Sequence, residues 1–337
     1  MFYFLSMRTG ALAYRPADGP GYGPDLEPDL ESGFGPAPDP APQADPALAA
    51  LGDPAAETPP AAAPALPVRP QLKLRYDINS LDNRDRWFVE KMIAIVEHVM
   101  QPYHRAEVRG MERVPRGAAL YVGNHSGGAM TIDSFLFGAA VYRAHGFDGL
   151  PFVLAHDFAM NAPGLHHVFS ALGCVRASRD NARRLFAEGR KVLVYPGGSE
   201  ESMRPFRDRN KILFGGKRGY VRTALEHGVP IVPVVGQGSH GTLIILEDVK
   251  WMAHLLGMDR AWRLRSWSIA FSLPWGLTFF PPPLYLPLPA KIRMEVLEPI
   301  RFERSGPEAA ADDEYVAECA AVVEGRMQEA LTRLARR

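Results

Sequence analysis

The feature that most constrains this fold is an alternation that begins near residue 118 and continues to residue 297. Short apolar runs at 118–122, 151–155, 174–176, 191–195, 230–235 and 291–297 have the length and residue types of buried strands. Between them, residues 132–145, 164–172, 181–188 and 219–227 place apolar side chains at helical spacing. Strand–helix alternation predicts an α/β domain, a mixed central sheet flanked by helices. Two more helices bracket it. The first is expected over 81–101, capped by Asp82 or Asn83, with Trp87, Phe88, Met92, Ile95, Val96 and Val99 as its apolar stripe. The second, over 312–335, aligns Tyr315, Val316, Cys319, Val322, Val323, Met327 and Leu331.

The N-terminal part cannot join such a domain. Residues 16–70 hold 15 of the chain's 31 prolines, many alanines, nine carboxylates and no Lys or Arg before Arg69. Few large apolar side chains are available there to offset chain entropy, so residues 1–70 are expected to be a disordered tail and residues 71–337 the folded domain. Residues 1–66 carry two basic and nine acidic groups. The rest carries 36 and 29, a net charge of +7 in a chain that is neutral overall. That charge suits an anionic partner such as a phosphate-bearing co-substrate or a lipid surface. No nucleic-acid motif is present. Two cysteines, Cys174 and Cys319, exclude a disulfide framework and fit a reducing compartment. No metal ligand set is expected.

An uncharged run over 266–290 has the length to span a bilayer, but six prolines deny it a regular helix. Trp262, Trp267 and Trp275, with Arg260, Arg263 and Arg265, suit a segment resting on a membrane surface. An apolar loop packed on the core is the alternative reading.

Four segments sit at predicted strand ends, where α/β folds build their sites. The first, 123–128, reads Gly-Asn-His-Ser-Gly-Gly and is followed by Asp133. A histidine leaving a strand, near a carboxylate, is an arrangement for general-base chemistry. The second runs from Gly173 to Arg179. The third, 195–201, reads Tyr-Pro-Gly-Gly-Ser-Glu-Glu. The fourth, 231–234, is an apolar strand containing Pro233. In this order and spacing they resemble the four blocks of the PlsC-like glycerolipid acyltransferase superfamily, over roughly residues 105–300.

The resemblance implies an enzyme that moves an acyl group from acyl-CoA or acyl carrier protein, a co-substrate rather than a bound cofactor, to a lipid hydroxyl. His125 would take the hydroxyl proton, and Asp133 would hold the imidazole as in a Ser-His-Asp triad without its serine. Ser126, Gly127, Gly128, Arg179, Gly197, Gly198, Ser199 and Glu200 would line the substrate site. Glycine-turn N–H groups would face the tetrahedral oxyanion.

Two departures from the family pattern matter. Seven residues separate His125 from Asp133, where the family has four, so the two glycines would have to fold a longer loop back. In block three the family's Glu and Arg, which serve a phosphate-bearing acceptor, are replaced by Gly197 and Glu200. A carboxylate repels phosphate. The sequence therefore resembles the monoacylglycerol and diacylglycerol acyltransferase branch, which implies a neutral glycerolipid or long-chain alcohol as acceptor. A lysophosphatidate-type acyltransferase and a non-catalytic lipid-binding homologue are the alternatives. A serine hydrolase is disfavoured because neither Ser126 nor Ser239 sits in a Gly-x-Ser-x-Gly elbow. The expected location is peripheral, at the cytoplasmic face of a membrane.

Overall fold

The structure, a computed structural model, describes residues 77–337 apart from 129, 156–159, 161–164, 249–267 and 280–284. The proline-rich tail, Arg260, Trp262, Arg263, Arg265 and Trp267 lie outside the described residues, as do the side chains of Ser199 and Asp248.

The central strand explains the layering. All five residues of β2 (Ala119–Gly123) are buried. Leu120 and Val122 point into one apolar cluster, Ala119 and Tyr121 into another, so both faces of the sheet are covered. With β1 (Glu107–Arg109), β3 (Phe152–Ala155), β4 (Cys174–Arg176), β5 (Lys191–Val194), β6 (Ile231–Gln237) and β10 (Arg293–Val296), the sheet has the order β1-β10-β6-β2-β5-β3-β4. Strands β6, β2, β5, β3 and β4 are parallel. Strand β10 pairs antiparallel with β6, and β1 parallel with β10. This is the mixed α/β sheet expected, with every predicted strand in place.

Helices α1 (Arg86–Ile95) and α2 (Ile132–Gly149) cover the Tyr121 face. Helix α3 (Leu165–Leu172) follows β3. The Leu120 face is covered by α4 (Arg179–Ala187), α6 (Gly219–Glu226) and α8 (Asp313–Ala335). Two short helices, α5 (Gly198–Ser202) and α7 (Pro307–Ala311), complete the set named here. In α8, Val316, Cys319, Val323, Met327 and Leu331 are buried, but Val322 is exposed.

The first helix departs from expectation. Its cap is Asp85, whose Oδ1 accepts the Phe88 N–H at 2.8 Å. Asp82 and Asn83 belong to a separate 3-10 turn begun by Ser80. Past Ile95 the chain continues through a π turn, Val96–Met100, and a last α turn, Gln101–Tyr103. The wider turn breaks the 3.6-residue period on which the expected stripe rested. Val89, Ile93 and Val96 are buried, whereas Trp87, Ile95 and Val99 face outward.

A second sheet went unforeseen. Strands β7 (Ile244–Asp248), β8 (Ser268–Ser272) and β9 (Gly276–Thr278) form an antiparallel meander. It takes up 268–278 of the uncharged run, while 285–290 is irregular apart from a bridge between Leu286 and Leu273.

Candidate active site

Strands β5, β2 and β6 are neighbours and parallel, so their C-terminal ends open on one edge. The loops that leave them bring together His125, Tyr195 with Glu201, and Ser239 with His240. Asn124 ties two of these ends together. Its Nδ2 donates to the Gly236 carbonyl and its Oδ1 accepts the Gly236 N–H, both at 2.8 Å and both buried.

The loop after β2 needs its glycines. Gly127 has φ +80°, and a Cβ there would lie 2.5 Å from the Ser239 carbonyl oxygen. Tyr285 Oη donates to the Gly127 carbonyl at 2.7 Å. Gly128 has φ +75°. The two left-handed residues return the longer loop as required, and Asp133, at the start of α2, meets Ser126. The Ser126 hydroxyl donates to Asp133 Oδ2 at 3.1 Å, and the Ser134 N–H donates to Oδ1 at 2.9 Å.

The expected His125–Asp133 hydrogen bond is therefore not formed, because both carboxylate oxygens are engaged elsewhere. His125 Nδ1 is buried with no hydrogen-bond partner. Burial, reinforced by the Arg204 guanidinium, lowers the imidazole to about 4. Burial pushes the Asp133 carboxyl up to about 7. Both groups are driven toward their neutral forms by the same loss of water.

Tyr195, the last residue before the third block turns, flanks the imidazole with ring centroids 5.0 Å apart. Its hydroxyl bonds to the Ser134 hydroxyl at 2.6 Å. A Cβ on Gly123 would lie 2.5 Å from the Tyr195 ring, so the glycine that ends β2 admits this contact. Two amides expected to face an oxyanion are in use. The Gly128 N–H donates to the Ser202 carbonyl at 3.2 Å, and the Gly198 N–H donates to the Tyr195 carbonyl at 3.1 Å.

Glu200 and Arg179 lie further out. Glu200 is exposed and sits 3.6 Å from Lys217 Nζ, which also donates to the Gly197 carbonyl at 3.0 Å. Arg179 is exposed at the start of α4, beyond β4, the outermost strand on that side. Three strand spacings from β2, it stands about 14 Å from the histidine loop.

The reading of the sequence missed the buried residues that hold the site. Glu201 and Arg204 form an ion pair at 3.3 Å with essentially no exposure. Glu201 Oε2 accepts the His125 N–H at 2.8 Å. His240 is also buried, with Nε2 unpartnered, and its imidazole is held well below its usual range by burial and by the nearby Arg204, His125 and Arg209. A Glu three residues after a Tyr-Pro-Gly-Gly turn looks like any solvated carboxylate, and no spacing marks it as buried.

Part of the chain is similar to known proteins. Residues 105–237, from just before β1 to the end of β6, match the family model described as Acyltransferase. An uncharacterized protein of Mycobacterium tuberculosis is 32% identical over 207 residues, which is 61% of this chain and 55% of that protein. The "DGAT1/2-independent enzyme synthesizing storage lipids" of Mus musculus is 27% identical over 202 residues, 60% of this chain and 54% of that protein. The chain thus spans about half the length of the curated relatives it matches. The crystal structure of the 1-acyl-sn-glycerophosphate (LPA) acyltransferase PlsC from Thermotoga maritima superposes with a TM-score of 0.46 at 18% identity, covering 74% of this chain and 80% of that one.

The raised Asp133 carboxyl has a measurable consequence. The folded state holds this proton up to about pH 7, the unfolded chain only to about 3.8. Its contribution therefore favours the folded state at low pH and is lost as pH rises through 7. Asp133→Asn removes that dependence. Relative to the parent protein, the variant should gain on the order of 2 kcal/mol between pH 5 and pH 8, read from urea unfolding. An equal stability gap at both pH values would contradict a buried, proton-retaining Asp133.

Proposed function

We propose that the chain is an O-acyltransferase that moves a fatty acyl group from an acyl thioester, acyl-CoA or acyl carrier protein, to the hydroxyl of a neutral lipid. The observation that carries this is the imidazole of His125. It sits just past the end of the central strand, half-buried, with Nδ1 itself buried and unpartnered and the ring neutral near pH 7. A buried ring nitrogen without a partner is uncommon in a structural histidine and ordinary in one that awaits a substrate. Neutral His125 would accept the acceptor's hydroxyl proton as its oxygen attacks the thioester carbonyl. The tetrahedral intermediate would then collapse with loss of the thiolate, and the imidazolium would return the proton to sulfur. No acyl-enzyme is needed. Asp133, once its carboxyl is ionised and turned toward the ring, would stabilise the imidazolium.

The acceptor reading rests on the rim. Glu200 stands at the position of the family's phosphate-gripping arginine, and the one cation beside it, Lys217, is paired with it. A rim whose charges cancel favours an uncharged hydroxyl, such as a monoacylglycerol, a diacylglycerol or a long-chain alcohol, over a phosphate. Arg179, more distant, would meet phosphates of the donor. His125→Ala should lower turnover by about two to four decades. The assay offers radiolabelled acyl-CoA with diacylglycerol and lysophosphatidate side by side. Undiminished transfer by the variant would refute the base, and transfer to lysophosphatidate alone would refute the neutral acceptor.

The same reading places the enzyme on a membrane, at its cytoplasmic face. Among the described residues no helix is long and apolar enough to cross one. The β8–β9 hairpin, however, is inverted relative to a strand in water. Ser268, Ala270 and Ser272 face inward and are buried, while Phe271 and Leu273 alternate outward. At the tip, Trp275, Leu277 and Phe279 are 59%, 60% and 61% exposed. The outer stripe of the first helix, Trp87, Ile95, Val99 and Tyr103, is exposed as well. Tyr103 Oη donates to the Pro287 carbonyl at 2.7 Å, beside exposed Leu286, which bridges to Leu273. Aromatic and aliphatic side chains in this arrangement suit the bilayer interface. The paired change Leu277→Asp with Phe279→Asp should cut flotation with phospholipid vesicles at least tenfold, each side chain being worth about 1.5–3 kcal/mol when buried. Unchanged flotation would place the membrane contact elsewhere.

A further inference from the structure

We infer that the buried pair Glu201–Arg204 is a positioning device for the catalytic histidine, and that Gly197 exists to admit it. The inference rests on the assignment of His125 as the base.

The contacts converge on a single residue's backbone. Glu201 Oε2 accepts the His125 N–H at 2.8 Å. Arg204 Nη1 donates to the His125 carbonyl at 3.4 Å and to the Glu201 carbonyl at 3.1 Å. The N–H and the C=O of residue 125 are thus held by opposite members of one ion pair. The next residue of the same turn joins in, because the Ser202 carbonyl accepts the Gly128 N–H. The pair is itself tied down on its far side. Glu201 Oε1 accepts the Leu213 N–H at 3.2 Å, and Arg204 Nη2 donates to the Arg209 carbonyl at 3.2 Å.

Stability does not account for such a pair. Each ion gives up several kcal/mol of hydration when fully buried, and well-packed apolar replacements of similar volume are often neutral or better. Apolar side chains, however, could neither accept an N–H nor donate to a carbonyl. The retained charges do what packing cannot. They fix the peptide units on both sides of His125, and through them the direction in which its imidazole leaves the strand. A displacement of about 1 Å at a reacting group costs on the order of a hundredfold in rate.

Gly197 is the complement. A Cβ on it would fall on the Glu201 side chain, at both Cβ and Oε2, although its φ is not left-handed. Its lack of a side chain is a requirement of space rather than of backbone conformation. A Cβ at position 197 and the Glu201 side chain, from its own Cβ to its carboxylate, exclude one another, so glycine at 197 is what lets residue 201 place a carboxylate here. The Gly197 that sequence comparison marks as a lost acceptor contact is, in three dimensions, the vacancy that lets a carboxylate reach the histidine from four residues away.

The test uses the full chain and the acyl-transfer assay above. Glu201→Ala should lower kcat at least a hundredfold while KM for donor and acceptor stays within about threefold, since the substrate sites are untouched. Glu201→Gln, which still accepts the His125 N–H, should retain kcat within about tenfold of the parent. Amide hydrogen exchange at His125 should speed up in the alanine variant and much less in the glutamine one. Gly197→Ala should lower kcat in the parent but change it less than twofold in a Glu201→Gly background, where no Cβ remains for it to meet. If Glu201→Ala does not fold, Arg204→Met reads the same contact through the carbonyl side, with kcat expected to fall at least tenfold at unchanged KM. A folded Glu201→Ala or Arg204→Met protein with parental kcat would overturn the inference. If His125→Ala keeps parental activity, the assignment of the base falls first. If that variant is inactive while the Glu201 variants are not, only the positioning role falls.

Discussion

The rest of the structure depends on the complete burial of β2. A strand covered on both faces and paired on both edges has no room for a polar side chain along its length. Ala119–Gly123 accordingly contains none but Tyr121, whose ring stacks edge-on against Phe137. Polar groups appear only where the strand ends, and there they appear at once: Asn124, His125, Ser126. The flanking strands β5 and β6 run parallel to it; β5 ends level with Val122, and β6 runs three residues past Gly123. One topological fact therefore gathers the histidine loop, the Tyr-Pro-Gly-Gly turn and the Ser239–His240 turn.

Gathering these groups has an electrostatic cost, which falls on each ionisable group in turn. His125, Asp133, Glu201 and Arg204 share one poorly hydrated volume. Burial lowers the bases and raises the acids, and both Asp133 and Glu201 reach about 7. Asp133 also raises Glu201, while Arg204 opposes both shifts. Under the proposed function, a carboxyl raised in this way could support the imidazole only as the ring's own charge develops, which is when support is useful.

Much of this was legible in the sequence. The strand runs and the block order located the edge, and the resemblance of the first block to the acyltransferase pattern pointed to His125 and Asp133 on it. What was illegible is what depends on packing. Asp133 reaches Ser126 rather than the imidazole because the path of a glycine turn is set by what it packs against, here the Ser239 carbonyl and Tyr285. Glu201 reads as a surface carboxylate because nothing local records that Gly197 leaves a space for it. In the first helix the buried face is Val89, Ile93 and Val96, so Ile95 already faces outward at the end of α1, and Val99 is exposed within the π turn that follows. The β8–β9 hairpin escaped because its alternation is inverted, and a period-2 pattern carries no label saying which face is inside.

That inversion and the buried charges are two sides of one arrangement. A soluble enzyme would put charges outside and apolar groups inside. This domain puts a four-membered ionisable cluster inside and a row of Phe, Leu and Trp outside. Each departure is costly in water alone. Under the proposed function the cost of the exposed row falls at a lipid surface, where the hairpin and the outer stripe of the first helix lose their unfavourable hydration, and a lipid acceptor would not have to leave its own medium far behind to reach the imidazole. The thioester donor is the only water-soluble partner in such a scheme. The folded part's net positive charge, with Arg179 at the outer end of the same sheet edge, lies on the side of the problem that an anionic, soluble donor poses.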